Sequence, residues 1–192
     1  VSRVPDQKTV LKANPSYWGK GQFPLAASEI VYTPIQSAAT RVAALLSGEV
    51  DFIQDVPVQD LGRVAGQDGL KVVTAAQNRV IFFGMNSGKA DLETDNVDGK
   101  NPFADVRVRR AMNIAINRDA IQKVVMRDQS SPTNVIMPPF VNGWNESLDQ
   151  IPAYDVGAAK ALMAEAGYGD GFSITLNCPN DRYINDEAIC QA

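Results

Sequence analysis

Up to Thr74 the chain alternates between two apolar rhythms. Thr9-Val10-Leu11-Lys12-Ala13 and Glu29-Ile30-Val31-Tyr32 are short runs rich in β-branched residues, ended by Asn14-Pro15 and Thr33-Pro34, and both predict strands. Between them Tyr17-Trp18-Gly19 opens a Gly- and Pro-rich connection that ends near Pro24. From Ser37 the spacing becomes helical: Val42, Leu45 and Leu46 share a face, with Ser37 placed to cap the start and Gly48 to stop the end. Val50-Asp51-Phe52-Ile53 predicts another strand, Pro57 to Ala65 a short helix bearing Val58, Leu61 and Val64, and Leu70 to Thr74 a further strand. That order of elements predicts an α/β fold, its parallel or mixed sheet joined by helical crossovers.

Ala75-Ala76-Gln77-Asn78-Arg79 breaks the apolar pattern, and Val80-Ile81-Phe82-Phe83-Gly84 resumes it strongly enough for an interior strand. The break is either a polar bulge in one strand or a passage between two domains. Asn86 to Gly99 is polar, acidic and loop-like. Asp105 then stands where an N-cap belongs, ahead of Val108, Ala111, Met112 and Ala115 on one helical stripe. Arg107, Arg109 and Arg110 lie beside or opposite that stripe. A second helix is expected from Asn117 to about Met126. An irregular connection follows through Pro132, Pro138-Pro139, Gly143-Trp144 and Pro152, and long connections of this kind often line a functional surface. Asp155 caps a helix with Val156, Ala159, Leu162, Met163 and Ala166 on its buried side and Gly167 at its end. Phe172 to Leu176 alternates as a strand leading to Cys178. Asn185 to Ala192 reads as a helix start, with Asn185 as its cap and Asp186 and Glu187 in its first turn. So short a helix is expected to continue, which marks the chain as an interior piece.

Composition narrows the chemistry. The 192 residues are 45% apolar and 21% charged, with a formal charge of -4. No basic stripe suits a phosphate backbone, so nucleic acid is not an expected partner. Histidine is absent, which removes the commonest general base and zinc ligand. No run of about 18 apolar residues is present to span a bilayer. Val1-Ser2-Arg3-Val4-Pro5 is not a signal peptide, as expected of a cytoplasmic protein, an interior fragment or a processed chain alike. The loop acids Asp91, Glu93, Asp95 and Asp98 offer a carboxylate pair for a hydrolase or oxygen ligands for calcium. They lack the apolar framing that raises a carboxylate pKa, and the spacing of an EF-hand is missing. Cys178 and Cys190 are open to either fate, two thiols or one disulfide.

Several segments, in this order, resemble the family 5 extracellular solute-binding proteins of bacterial ABC importers, which include oligopeptide-, dipeptide- and nickel-binding receptors. They are Asn14-Pro15-Ser16-Tyr17-Trp18-Gly19; Thr40-Arg41-Val42-Ala43-Ala44-Leu45 with Ser47-Gly48-Glu49-Val50-Asp51; Phe83-Gly84-Met85-Asn86; and Asp105-Val106-Arg107-Val108-Arg109. Pro138-Pro139 with Gly143-Trp144, and the run from Tyr154 to Tyr168, complete the set. Pro179-Asn180-Asp181-Arg182-Tyr183-Ile184-Asn185-Asp186-Glu187-Ala188-Ile189-Cys190 is most similar to a peptide-transport branch.

The resemblance implies a two-lobed fold of the periplasmic binding protein type II kind, closing on ligand between its lobes. It places residues 1–74 in part of lobe one, 75–79 in an interlobe crossover or hinge, and 80–192 in part of lobe two. It also implies a receptor that is not an enzyme and uses no cofactor or metal. Such a receptor, a monomer, takes short peptides and passes them to permease subunits in the inner membrane. Receptors for a nickel chelate, a sugar or an opine are the alternatives within the family. The intact parent would be periplasmic, or extracellular and membrane-associated. Family members are much longer, so terminal parts of both lobes are expected to be absent.

Gln77, Asn78 and Arg79 are the ligand candidates at the crossover, with donors and acceptors for a peptide backbone or carboxylate. Trp144 is a candidate cover for a side-chain pocket, or else a plug for its own loop. Asn180, Asp181 and Arg182 follow a strand end, a favoured binding edge. Asp181 suits an amino group and Arg182 a carboxylate, unless the two pair with each other. Tyr17 and Trp18 are expected to pack under a turn at Gly19, and Arg107 and Arg109 to serve structure. In the extracytoplasmic setting of this family, Cys178 and Cys190 are expected to form a disulfide.

Overall fold

The N-terminal hairpin is built around a residue that tolerates left-handed backbone. Asp6 takes φ 57°, and the Gln7 amide donates to the Val4 carbonyl at 3.2 Å. This turn joins β1 (Ser2–Val4) to β2 (Lys8–Lys12), and β3 (Glu29–Tyr32) adds on the other side. The computed structural model describes residues 1–88, 99–180 and 182–192. Its three-stranded sheet has the order β1-β2-β3 and is antiparallel throughout. Lys12 and Glu29 are directly opposed across β2 and β3, with Nζ 3.4 Å from the carboxylate.

The chain divides into two units, one of Val1–Val56 with Gly62–Leu70 and one of Pro57–Leu61 with Lys71–Ala192. In the first, α1 (Ala38–Leu46) starts where expected: the Ser37 hydroxyl accepts from the Thr40 amide at 3.3 Å. Gly48, at φ 77°, follows its end, where a side chain would be strained. Val42, Ala44 and Leu45 are buried on its inner face. The first unit also holds most of α2 (Leu61–Ala65), with Val64 buried, while the 3-10 turn at Val58–Asp60 just before it in sequence is assigned to the second.

The second unit is organised by α3 (Val106–Ile114) packed against α5 (Val156–Glu165). Each begins at an aspartate. Asp105 accepts from the Arg107 amide and Asp155 from the Ala158 amide, both at 2.8 Å. Val108, Ala111 and Ala159 are buried, with Phe103 in the preceding 3-10 turn, Pro102–Ala104. The Phe103 and Phe172 rings meet nearly edge to face at 5.9 Å. The Asp155 amide donates to the Ile114 carbonyl at 2.9 Å, tying the end of α3 to the start of α5. Between them α4 (Arg118–Ala120), capped by Asn117, widens into a π turn at Ile121–Val125.

The connection from 127 to 154 lacks regular structure, and side chains satisfy its backbone instead. Arg118 donates to the Thr133 carbonyl at 3.2 Å and Gln122 to the Ser130 carbonyl at 2.9 Å. Asp149 accepts from the Asn134 amide at 2.7 Å and the Thr133 hydroxyl at 2.9 Å. These bonds hold the Asp149 carboxyl below the usual carboxylate range, the Asn134 amide contributing most.

Several expected elements do not form. Val50–Ile53, Leu70–Thr74 and Val80–Gly84 belong to no strand, and Phe172–Leu176 holds only an isolated bridge at Ile174. A β pattern marks side chains suited to a sheet, but a strand also requires a hydrogen-bonding neighbour. Val50–Ile53, Leu70–Thr74 and Val80–Gly84 join no ladder among the described residues, and Phe52, Val73 and Phe82 are exposed. Among the described residues the ladders are those of the one antiparallel sheet, and no parallel pairing across a helical crossover is found there. Trp18 does not pack under its turn either: it is 86% exposed, while the Tyr17 ring alone closes over the buried Gly19.

Candidate functional site

The candidate residues near the end of the chain stand on a segment fastened in three ways. A disulfide joins Cys178 to Cys190, with the Cα atoms 6.3 Å apart. Inside the span it closes, the buried Asp186 accepts from the amides of Arg182 at 2.9 Å, Tyr183 at 3.0 Å and Glu187 at 2.9 Å. Burial by itself would raise the Asp186 pKa, but the amides of Tyr183, Arg182 and Glu187, together with its own, outweigh it and keep the carboxyl below its ordinary value. Asn185, at φ 53°, donates from Nδ2 to the Val125 carbonyl at 2.8 Å, anchoring the segment to the π turn.

Asn185 therefore does not cap α6 (Asp186–Gln191) with its side chain, contrary to the sequence expectation. Its left-handed backbone turns the amide group away to Val125. Asp186 gathers the local amides instead.

This fastening brings two arginines to one ring. Arg182 donates from Nε to the Tyr183 hydroxyl at 2.9 Å, and its guanidinium carbon lies 5.5 Å from the ring centroid. Arg79, distant in sequence, places its guanidinium carbon 5.1 Å from the same centroid. Both separations suit a cation–π contact. Among the described residues neither guanidinium meets a carboxylate. Both guanidiniums thus approach one aromatic ring, and no hydrogen bond from their terminal N–H groups occurs among the described residues; guanidinium is the side-chain group best matched to a carboxylate.

The segment leading to Arg79 lines a second feature. Thr74, Ala75 and Ala76 face Asp128, Gln129, Ser130 and Ser131 across an open, polar hollow of about 250 Å³. Gln77 and Asn78 continue from it, exposed and without a side-chain hydrogen bond among the described residues. Asn180 is exposed as well. The structure thus brings Arg79 and Arg182 to the same ring, with Gln77 and Asn78 directly preceding Arg79 in sequence.

No contact among the described residues joins another candidate to this cluster. Trp144 is half-buried in its own loop, where Nε1 donates to Asp149 at 3.2 Å. Asp181, and the loop acids Asp91, Glu93, Asp95 and Asp98, lie outside the described residues. No group of metal-ligating side chains occurs among the described residues. Arg107 and Arg109 serve the helix start, Arg107 by its pair with Asp105 at 2.6 Å, Arg109 by donating to the Phe103 and Ala104 carbonyls at 2.6 and 3.0 Å.

Sequence reasoning missed Tyr183 and Asp186. Tyr183 sits directly after a candidate arginine, a position from which an aromatic ring can serve as its platform. Asp186 was legible as a first-turn acid, but its role as an acceptor for amides preceding it in the chain was not.

Comparison with known proteins identifies the family. The profile of the bacterial extracellular solute-binding proteins, family 5 Middle, matches residues 1–192. The glutathione-binding protein GsiB of Salmonella typhimurium is 32% identical over 160 residues, covering 83% of this chain and 28% of its own. The heme-binding protein A of Haemophilus influenzae is 31% identical over 172 residues, covering 90% and 29%. The ABC transporter-associated periplasmic binding protein DppA from Helicobacter pylori, solved in complex with peptide STSA, superposes with a TM-score of 0.64 at 25% identity. That superposition covers 89% of this chain and 30% of the solved one. The chain thus spans under a third of the length of these relatives. With the whole sequence matched and the fold shared with periplasmic binding proteins, the chain belongs to the bacterial extracellular solute-binding proteins of family 5.

Proposed function

We propose that the chain is the middle portion of an extracytoplasmic receptor that captures short peptides and delivers them to the membrane permease of an ABC importer. The observation that carries this reading is the meeting of Arg79 and Arg182 on Tyr183. A free peptide always ends in a carboxylate, and guanidinium is the side-chain group best matched to it. Gln77 and Asn78 add backbone-like donors and acceptors beside the hollow at Thr74–Ala76. Asn180, Asp181 and Trp144 complete the proposed ligand set. The peptide carried by the Helicobacter pylori relative supports the choice of ligand class.

In the intact receptor, residues 75–79 act as the interlobe connection, and the ligand is enclosed between a lobe containing residues 1–74 and one containing residues 80–192. Small backbone rotations in such a connection close a cleft. The receptor works as a periplasmic or extracellular monomer, by differential binding to open and closed forms rather than by catalysis.

Native mass spectrometry of the gently purified full-length protein tests the ligand class. The expected result is a carried peptide that exchanges with an added peptide library. A carried nickel chelate, sugar or opine, with no exchange by peptides, overturns the peptide assignment.

A further inference from the structure

Arg182 and Tyr183 lie in a short stretch that would otherwise have considerable freedom, because α6 is a brief helix and the described residues from Leu176 to Asn185 form no ladder. Three residue linkages, four bonds in all, remove that freedom. The Cys178–Cys190 disulfide closes a span of 12 positions around these residues, Asp186 fixes the amides of Arg182 and Tyr183, and Asn185 ties the segment to Val125. What is fixed is the placement of the Tyr183 ring, on which Arg79 also comes to rest. Neither cysteine nor Asp186 faces the guanidiniums as a partner.

We infer that the Cys178–Cys190 disulfide and the Asp186 carboxylate are positioning groups for the Arg79–Tyr183–Arg182 cluster, so that recognition of a ligand carboxylate depends on them. The inference rests on the peptide-receptor reading above. Two guanidiniums held in place lose little conformational freedom when a carboxylate binds; released, they must be ordered at the moment of binding. Like charges gathered near one ring also repel, and the scaffold holds them together until an anion relieves the repulsion. A bond that served stability alone would lower the unfolding temperature without altering which ligands are preferred.

The test uses the full-length receptor and two peptide libraries of three to five residues, identical except that one has free C-terminal carboxylates and the other has C-terminal amides. Affinities are measured for wild type, the Cys178→Ser/Cys190→Ser double variant and Asp186→Asn, each shown by circular dichroism to be folded at the assay temperature. Asp186→Asn retains the disulfide and so keeps the test open if the double variant fails to fold. Wild type is expected to prefer the free acids, and each folded variant to lose about tenfold in free-acid affinity with little change for the amides. Variants that keep the wild-type ratio of acid to amide affinity overturn the positioning role. Equal binding of acids and amides by wild type overturns the carboxylate cluster while leaving the peptide receptor standing. Binding of neither library overturns the receptor reading and this inference together.

Discussion

Arg107 links the start of α3 to the end of α5, donating from Nη1 to the Glu165 carbonyl at 2.7 Å. The same guanidinium pairs with the capping Asp105, so one side chain serves an N-cap at one helix and an orphan carbonyl at another. The bond to Asp105 is the main cause that raises the Arg107 pKa above its already high ordinary value. Arg107→Ala is expected to lower the thermal midpoint by about 2–4 °C, the range for a modest loss in a chain of this size. Arg107→Lys should recover only part of it, since one ammonium cannot reproduce the fork. Calorimetry of the three proteins checks this, and a full recovery by lysine would contradict the two-ended role.

Val108, fully buried on α3, should be the most sensitive point of the helix pair. Val108→Ala removes two methyl groups from a fully buried position and is expected to cost roughly 1.5–3 kcal/mol. Val106 lies on the same helix but is 46% exposed. Val106→Ala should change stability by about 0.5 kcal/mol or less. Urea unfolding of both variants distinguishes the faces, and equal effects would show the packing to be misassigned.

Asp105 links stability to pH. Its side-chain bond to Arg107 comes first, followed by the Arg107 amide, and together they lower its pKa from 3.8 to about 2. A carboxyl depressed in the folded state contributes stability above its unfolded pKa and loses it as pH falls through the folded value. The Asp105 contribution is therefore complete above about pH 4 and fades toward pH 2. Asp149 and Asp186, also depressed, act in the same direction. Asp105→Asn keeps a capping oxygen without the titration. Its stability loss relative to wild type should be largest near pH 6 and shrink toward pH 2; a gap that does not change over that range would contradict the assignment.

Asn185 allows backbone strain and side-chain bonding to be separated. Glycine accepts φ 53° freely but lacks the bond to Val125, whereas alanine lacks the bond and is strained there. Asn185→Gly should cost about 0.5–1.5 kcal/mol. Asn185→Ala should cost about 1 kcal/mol more. Chemical denaturation measures both. Equal costs would locate the whole effect in the side chain.

These sites also show what was legible in the sequence. Ser37, Asp105, Asn117 and Asp155 marked helix starts because capping is local chemistry, settled within three residues. Glu29–Tyr32 was recognisable as a strand for its composition and its proline stop. Val80–Gly84 has an equally strong pattern but forms no strand, because its identity depends on a neighbour that no local signal reveals. The candidate site divides the same way. Arg79 and Arg182 were recognisable from their chemistry and surroundings in sequence. Their convergence on Tyr183 was not, since it depends on the fold bringing distant segments together.

The arginine pair is the centre of the functional account, and titration calorimetry with free-acid peptides tests it directly. The full-length receptor and its Arg79→Ala/Arg182→Ala variant are compared, with circular dichroism showing that the variant is folded. Removing both guanidiniums is expected to weaken binding by about a hundredfold, as the loss of two charge-assisted contacts to one carboxylate requires. A folded variant that binds these peptides as tightly as wild type would place the ligand elsewhere and contradict the account.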